Sequence, residues 1–282
     1  MACSTPSAVA GGHLSVVAGE SPWGAVARAI GGNEVHVVSI LSNPATDPHE
    51  YTPTAAVAAE VATADVVIEN GLGYDAFLSG LVATGAAHAR SVLIAAQVLG
   101  VSGPDANPHL WYAIQRVPVM ARAIAAAFVA ADPAHASTYR ENLSTFLTSL
   151  QPLDAQITDI AQHHGGAKVA QTERVAGYLL AEAHLDVVSP LGYSLAIESG
   201  QEPNAADTET MTKLLTPGQL AAVIFNTQTQ SKATDLVQTQ AKAASIPLVP
   251  VSEIVEPVGA SYVAWQGRQL QELSAALARS SS

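Results

Sequence analysis

Two of the nine histidines, His49 and His109, each follow a proline in a loop dense in turn formers, Ser42 to Pro53 and Gly103 to Trp111. A proline at that point restricts the backbone, so less entropy is lost when the imidazole is held in place. Two carboxylates answer them further along: Glu173, just after the apolar run ending at Gln171, and Glu253, just after Pro247 to Ser252. Each carboxylate alone reads as an ordinary helix-start or surface acid, and two histidines alone can arise by chance. All four together offer two nitrogen donors and two carboxylates without a thiolate, a set that suits one divalent transition metal ion.

The other histidines carry less. His13 precedes the first apolar run, His36 alternates along a strand, and His88, His135 and His184 lie in or beside helices with polar neighbours. His163 and His164 close a helix, where cations suit the dipole. Gly71-Leu-Gly73-Tyr-Asp-Ala76 imitates a dinucleotide fingerprint, yet Ile94-Ala-Ala-Gln97 stands where an acid would meet the ribose, so a packing turn is the better account. There is no G-x-S-x-G elbow for a serine hydrolase. A metal-dependent hydrolase using the same four residues is the rival enzyme reading, and it needs an open metal position that four bound side chains leave little room for.

The elements that must position these residues come in two series around one long helix. From Pro133 to about His163, Tyr139, Leu143, Phe146, Leu150, Leu153, Ile157 and Ile160 follow a 4-3 spacing that draws one apolar seam down a helix. Asp132 reads as its N-cap, Gly165-Gly166 as its stop, and Pro152 as a kink or restart near Ser149. Before it, strands at Leu14–Ala18, Val35–Leu41, Ala64–Glu69 and Ser91–Leu99 alternate with helices at Trp23–Ile30, Thr54–Ala62, Tyr74–Val82 and Gln115–Ala131. After it, strands at Ala167–Gln171, Leu185–Val188, Ala221–Asn226 and Pro247–Ser252 alternate with helices at Glu173–Ala183, Ala205–Leu215, Thr229–Ala243 and Tyr262–Ala278. Strand-helix-strand repetition predicts parallel sheets, with binding groups at the strand-end loops. The fold class is α/β, two lobes at 14–118 and 165–282 joined by linking helices at 119–164, behind a flexible tether at 1–13.

Composition bounds the partners. Hydrophobic residues make up 49%, enough for a large core, and the net charge of −12 disfavours nucleic acid and mildly favours cations. No uninterrupted run of eighteen apolar residues occurs. Cys3 is the single cysteine, which excludes an intramolecular disulfide and any cysteine-rich metal site. With the small and polar residues Ser4 to Gly12 behind it, Ala2-Cys3 resembles the mature start of a bacterial lipoprotein, the cysteine carrying lipid.

Asp47-Pro48-His49-Glu50-Tyr51-Thr52-Pro53-Thr54, Glu69-Asn70-Gly71-Leu72-Gly73 and Asn107-Pro108-His109-Leu110-Trp111 together resemble the zinc/manganese solute-binding proteins of bacterial ABC importers. Asp132-Pro133 with Tyr139, Glu173 to Gly177-Tyr178, and the last strand before Glu253 extend the likeness, in order, over nearly the whole chain from about Leu14. The resemblance implies two pseudo-symmetric α/β lobes bridged by a long helix, with one metal in the inter-lobe cleft held by His49, His109, Glu173 and Glu253. It implies a monomer outside the cytoplasmic membrane, anchored through Cys3, that hands the metal to an importer permease and is not an enzyme. An adhesin-like surface protein is compatible with the same fold.

Departures from the family pattern are local. Glu253 is one methylene longer than the usual aspartate, which makes Glu198 and Glu256 the substitutes to inspect; Tyr112-Ala113 replaces an Asp-Pro-like continuation; and no histidine-rich acidic loop lies between the two Pro-His motifs. Glutamate at position 173 resembles manganese-transporting members, but zinc binds the same donors more tightly, so both metals stand. Imidazole ligands must be neutral, so metal affinity is expected to fall as pH drops below about 6.5. Calorimetric titration at about pH 5 and about pH 7.5 checks this, and equal affinities would contradict it.

Overall fold

The computed structural model describes residues 13–43, 51–84 and 91–280. The expected tether with Cys3, except His13, and the loop bearing His49 lie outside the described residues, as does His88. The first series runs β1 (Leu14–Glu20), α1 (Ser21–Gly31), β2 (Val35–Leu41), α2 (Ala55–Thr63), β3 (Val66–Glu69), α3 (Ala76–Ala83), β4 (Ser91–Ile94), α4 (Ala95–Val98) and α5 (Val117–Ala131). The long helix α6 (Ala136–His164) follows. The second series runs β5 (Lys168–Gln171), α7 (Gly177–Glu182), β6 (Asp186–Val187), α8 (Leu191–Glu198), α9 (Ala205–Leu214), β7 (Ala222–Asn226), α10 (Lys232–Ala243), β8 (Leu248–Val251) and α11 (Tyr262–Ser280).

The two sheets have the same topology. Strand orders are β2-β1-β3-β4 and β6-β5-β7-β8, and every ladder between them is parallel. In each order the chain reverses direction across the sheet beside its first strand, the place where loops at the carboxyl ends of the strands open a crevice. Glu20, Glu69, Gln171, Asn226 and Val251 are the last residues of their strands. Glu173 and Glu253 therefore follow β5 and β8 by two residues, on the carboxyl side of the second sheet.

Both faces of each sheet are covered, so the strands are apolar on both faces. Val16, Ala18, Val66 and Ile68 turn to the large core that α6 crosses, whereas Val17 and Val67 turn outward to a smaller cluster with Val61 and Leu78. The second sheet repeats this: Val169, Ala222 and Ile224 face the large core, and Ala170 and Val223 face Tyr193, Met211 and Val237. One continuous core thus passes from the first sheet through α6 to the second.

α6 is the spine of that core. Tyr139, Phe146, Leu150, Leu153, Ile157 and Ile160 of its expected seam are buried and Leu143 is partly so; burial of side chains this size is worth about 1.5–3 kcal/mol each. At 1.5 Å per residue its 29 residues span about 44 Å. The expected restart at Pro152 does not occur, since the helix is continuous through it. Its start also differs, for Pro133–His135 form a 3-10 turn and the Asp132 carboxylate accepts from Tyr139 Oη at 2.7 Å and meets His135 Nδ1 at 2.6 Å.

Other boundaries moved for local reasons. The strand expected over Ser91–Leu99 stops at Ile94, because the Ala96 N–H turns to the Asn70 carbonyl and the small residues Ala95 and Ala96 close into α4. β6 is only two residues long, and α8 was not expected from the sequence. α10 begins at Lys232, where Ser231 and Thr234 cap each other's backbone, not at Thr229. Residues 114–131, long and apolar enough to cross a membrane, form a 3-10 turn (Ile114–Arg116) and α5, whose Met120, Ile124 and Phe128 are buried against the core.

Glu182 ends α7 and accepts from the backbone N–H of Gln115 at 3.2 Å, tying the second series to the start of α5. Burial, eased by that N–H but reinforced by the nearby Asp154 charge, pushes its carboxyl from 4.5 up to about 7. The folded chain therefore holds this proton where the unfolded chain has released it, and stability falls as pH rises from about 4.5 to about 7. Allowing for partial solvation, the loss is on the order of 1–2 kcal/mol. Urea unfolding across that window should show this loss for the wild type and not for Glu182→Gln; parallel profiles would contradict it.

Candidate metal centre

His109 sits in the loop between α4 and α5 and is fully buried. Its surroundings fix its tautomer. Asn107 Nδ2 donates to the Arg174 carbonyl at 2.7 Å, so Asn107 Oδ1 is the atom turned to the ring, where it accepts from the His109 backbone N–H at 3.1 Å and lies 2.7 Å from His109 Nδ1. A carbonyl oxygen only accepts, so Nδ1 carries a hydrogen, and in the neutral ring Nε2 keeps its lone pair. That lone pair points across the cleft at Glu253 Oε2, 3.2 Å away. Two electron-rich atoms this close need a positive charge between them, either a proton or a metal ion.

Glu253 is 1% exposed and meets three further groups. Tyr74 Oη donates to its Oε2 at 2.5 Å, Asn226 Nδ2 donates to its Oε1 at 2.7 Å, and its backbone N–H donates to Gln228 Oε1 at 2.6 Å. Burial, and next the Glu253 charge, hold the Tyr74 phenol well above its usual range, which keeps it a donor. Glu173, 2% exposed, is joined to the same place through Asn226, whose Nδ2 lies 2.7 Å from Glu173 Oε2. Asn226 thus links Glu173 to the His109–Glu253 pair between the sheets. Among the described residues no three His, Cys, Asp or Glu side chains are grouped for a metal ion on their own, and His49 lies outside them.

Each supporting group has a local cause. Tyr74 stands in the turn after β3, where Gly71, Leu72 and Gly73 all have positive φ and a Cβ on Gly71 would come 2.8 Å from Ile94 Cγ2. Asp75 fastens this turn by accepting from the N–H groups of Asn70 and Gly71 at 2.7 and 2.9 Å. The glycine pattern that imitates a dinucleotide fingerprint therefore presents a phenol to the cleft. Asn226 ends β7, and its Oδ1 accepts from the Gln228 N–H at 3.1 Å, which leaves its nitrogen facing the carboxylates.

Three sequence expectations need correction. Glu173 does not open a helix: residues 172–174 bend and 175–176 turn, because the Arg174 N–H and guanidinium both go to Glu198, and α7 starts only at Gly177. Glu198 is no substitute ligand, since its carboxylate is taken by Arg174 through Nε at 3.1 and 3.0 Å and Nη2 at 2.8 Å. Glu256 instead lines a separate cavity with Trp265 and Arg268. His163 is exposed on α6 beside Asp159, and His135 sits between Asp132 and Glu34, as bland readings expect. Tyr74, Asn107 and Asn226 were missed; the strand-end position of Asn226, shared with the Glu173 loop, was the available signal.

Comparison with known proteins places the chain in context. Residues 16–276 match the family model described as zinc-uptake complex component A, periplasmic. The manganese-binding lipoprotein MntA of Bacillus subtilis is 28% identical over 250 residues, 85% of this chain and 80% of that protein. The iron ABC transporter substrate-binding lipoprotein MtsA of Streptococcus pyogenes is 28% identical over about half of each chain, 51% and 50%. Among solved structures, the solute-binding protein FpvC of Pseudomonas aeruginosa in complex with Mn2+ superposes with a TM-score of 0.78 at 22% identity, over 95% of this chain and 100% of that one. The periplasmic zinc-binding protein TroA of Treponema pallidum gives 0.77 at 18% identity, over 94% and 99%.

The Arg174–Glu198 pair also closes the cleft's rim, because Arg174 Nη1 donates to the Asp105 carbonyl of the first lobe at 3.0 Å. Arg174→Met would leave the Glu198 carboxylate, 8% exposed, buried without its cation, at a cost of about 3 kcal/mol or more. Urea unfolding should register that loss, and Glu198→Gln on the same background should recover part of it. A change under about 1 kcal/mol would contradict the burial argument.

Proposed function

The chain belongs to the zinc-uptake complex component A family of periplasmic proteins, and from that premise we propose that it captures one divalent transition metal ion, Zn2+ or Mn2+, outside the cytoplasmic membrane and delivers it to an ABC importer permease. The ion is cargo, not a resident cofactor. Its proposed ligands are His109 and His49 from the first lobe and Glu173 and Glu253 from the second. The observation that carries this reading is the His109 Nε2 lone pair facing Glu253 Oε2 at 3.2 Å, with Glu173 one amide away.

Local chemistry supports the reading. Tyr74 and Asn226 are neutral donors that hold two buried carboxylates close together without neutralising them, so the spot stays attractive to a cation. Asn107 keeps the imidazole in the tautomer whose free nitrogen faces inward. Four side-chain donors leave a bound ion no open position for catalytic water, which favours carriage over hydrolysis. Lobe movement is small in this account, because one core runs through α6 and direct hydrogen bonds cross between the lobes, such as Tyr112 Oη to the Ser252 carbonyl at 2.7 Å and Tyr262 Oη to the Trp111 carbonyl at 2.6 Å.

A lipid on Cys3 and a monomeric state complete the proposal, the first resting on the lipoprotein-like sequence of residues 2–12. The relatives named as lipoproteins agree with it.

Metal that binds only the folded chain stabilises it by about 2.7 kcal/mol at a hundredfold its dissociation constant. Thermal unfolding with and without Zn2+ or Mn2+ should show this gain for the wild type and for His163→Ala. His49→Ala and His109→Ala should each lose it. Full stabilisation in both of those variants would place the site elsewhere.

A further inference from the structure

Glu20 ends β1, an inner strand of the first sheet, and is 1% exposed. Neither of its carboxyl oxygens receives a hydrogen bond from another described residue. Asp75, fully buried, lies against the same strand end: a Cβ on Gly19 would come within 2.7 Å of its Oδ2, so the glycine makes room for it. Unlike Glu20 it is well supplied, accepting from the Asn70 N–H at 2.7 Å and from the Gly71 N–H at 2.9 Å, one on each oxygen. A side-chain hydrogen bond joins Glu20 to Asp75. Two carboxyl groups can share such a bond only if one of them carries a proton. The two N–H groups favour the charged form of Asp75, so the proton belongs to Glu20.

The groups around Glu20 agree with that assignment. Among the described residues the titratable ones facing it are Asp75, Glu69 at the end of β3, and Tyr74; Glu69 takes the Ser79 hydroxyl at 2.5 Å, and the Tyr74 phenol is neutral. No lysine or arginine stands among them. Burial above all, then the Asp75 charge and hydrogen bond, hold the Glu20 carboxyl well above the usual range, with its own backbone N–H easing this and Glu69 adding to it. The consequence runs along the turn after β3. Asp75 fastens Asn70 and Gly71, and its neighbour Tyr74 crosses to Glu253 Oε2 at 2.5 Å. We infer that Glu20 is a positioning residue for metal capture: it keeps a proton through neutral pH and, by donating it to Asp75, ties the end of β1 to the turn that aims Tyr74 at Glu253. Its positioning role rests on the metal-capture reading above; its proton does not. Loss of the proton would set two anions against each other away from water, so the tie holds below the pH at which Glu20 ionises and fails as pH rises through it.

Infrared spectroscopy of the metal-free protein sees a protonated carboxyl by its C=O stretch, which lies apart from the carboxylate bands. At about pH 8, where Glu182, pushed up to about 7, has mostly lost its own proton, the wild type should show this stretch and Glu20→Gln should lose its intensity. No such band in the wild type, or an undiminished one in Glu20→Gln, overturns the assignment. Zn2+ dissociation constants measured against a chromophoric chelator test the positioning. Glu20→Gln, whose amide still donates to Asp75, should stay within about threefold of the wild type, and Glu20→Leu should bind about tenfold more weakly. On a Tyr74→Phe background Glu20→Leu should add little, since both act through one contact. Wild-type affinity in Glu20→Leu, or its full loss persisting without the Tyr74 hydroxyl, overturns the positioning role. A wild type that binds no Zn2+ or Mn2+ overturns the metal-capture reading and the positioning role with it, while the infrared result still decides the proton.

Discussion

Burying negative charge governs this molecule. Glu173 and Glu253 are almost wholly removed from water, and moving two carboxylates inward costs several kcal/mol each unless charge or hydrogen bonds compensate. The protein supplies hydrogen bonds from neutral donors, the Asn226 amide nitrogen and the Tyr74 phenol. None of these cancels the charge. The site keeps negative charge that the proposed divalent cation would offset, and His109 Nε2 faces the same point. Metal capture in this account is the relief of a built-in imbalance.

That arrangement is possible only because the supporting structure is stiff. Tyr74 and His109 come from the first lobe, Asn226 and both glutamates from the second, and the 3.2 Å and 2.5 Å contacts between them tolerate little sliding. Two sheets of identical strand order point their carboxyl ends at the same crevice, and α6 fixes the distance between them with its buried seam. Hydrogen bonds around the rim, from Asn107 to the Arg174 carbonyl and from Tyr178 to the Asn107 carbonyl at 2.8 Å, bind the His109 loop directly to the Glu173 loop. Fold and site are therefore one mechanical unit.

Much of this was legible in the sequence. The seam of α6 was readable because a helix facing one core repeats its apolar residues every three or four positions, and β1, β2, β3 and β7 because runs such as Val35 to Leu41 are β-branched. The family likeness rested on short motifs in order, and the match over residues 16–276 agrees with it. What was hidden depended on distant partners. Glu173 looked like a helix start because nothing nearby in sequence reveals that Arg174 turns to Glu198, 24 residues on. Asn226 looked like the end of a strand, since its second carboxylate lies 53 residues before it. Tyr74 meets a partner 179 residues away. α8 escaped notice because Leu191 to Glu198 carries a glycine and weak periodicity, and it is held by the cluster around Tyr193 and Met211.

The most direct test is X-ray absorption at the zinc edge of protein loaded with one equivalent of Zn2+. The account predicts four nitrogen or oxygen neighbours at about 2.0–2.1 Å, no sulfur, and the outer scattering of two imidazole rings. A spectrum without imidazole scattering, or one that needs six oxygen neighbours, would contradict it.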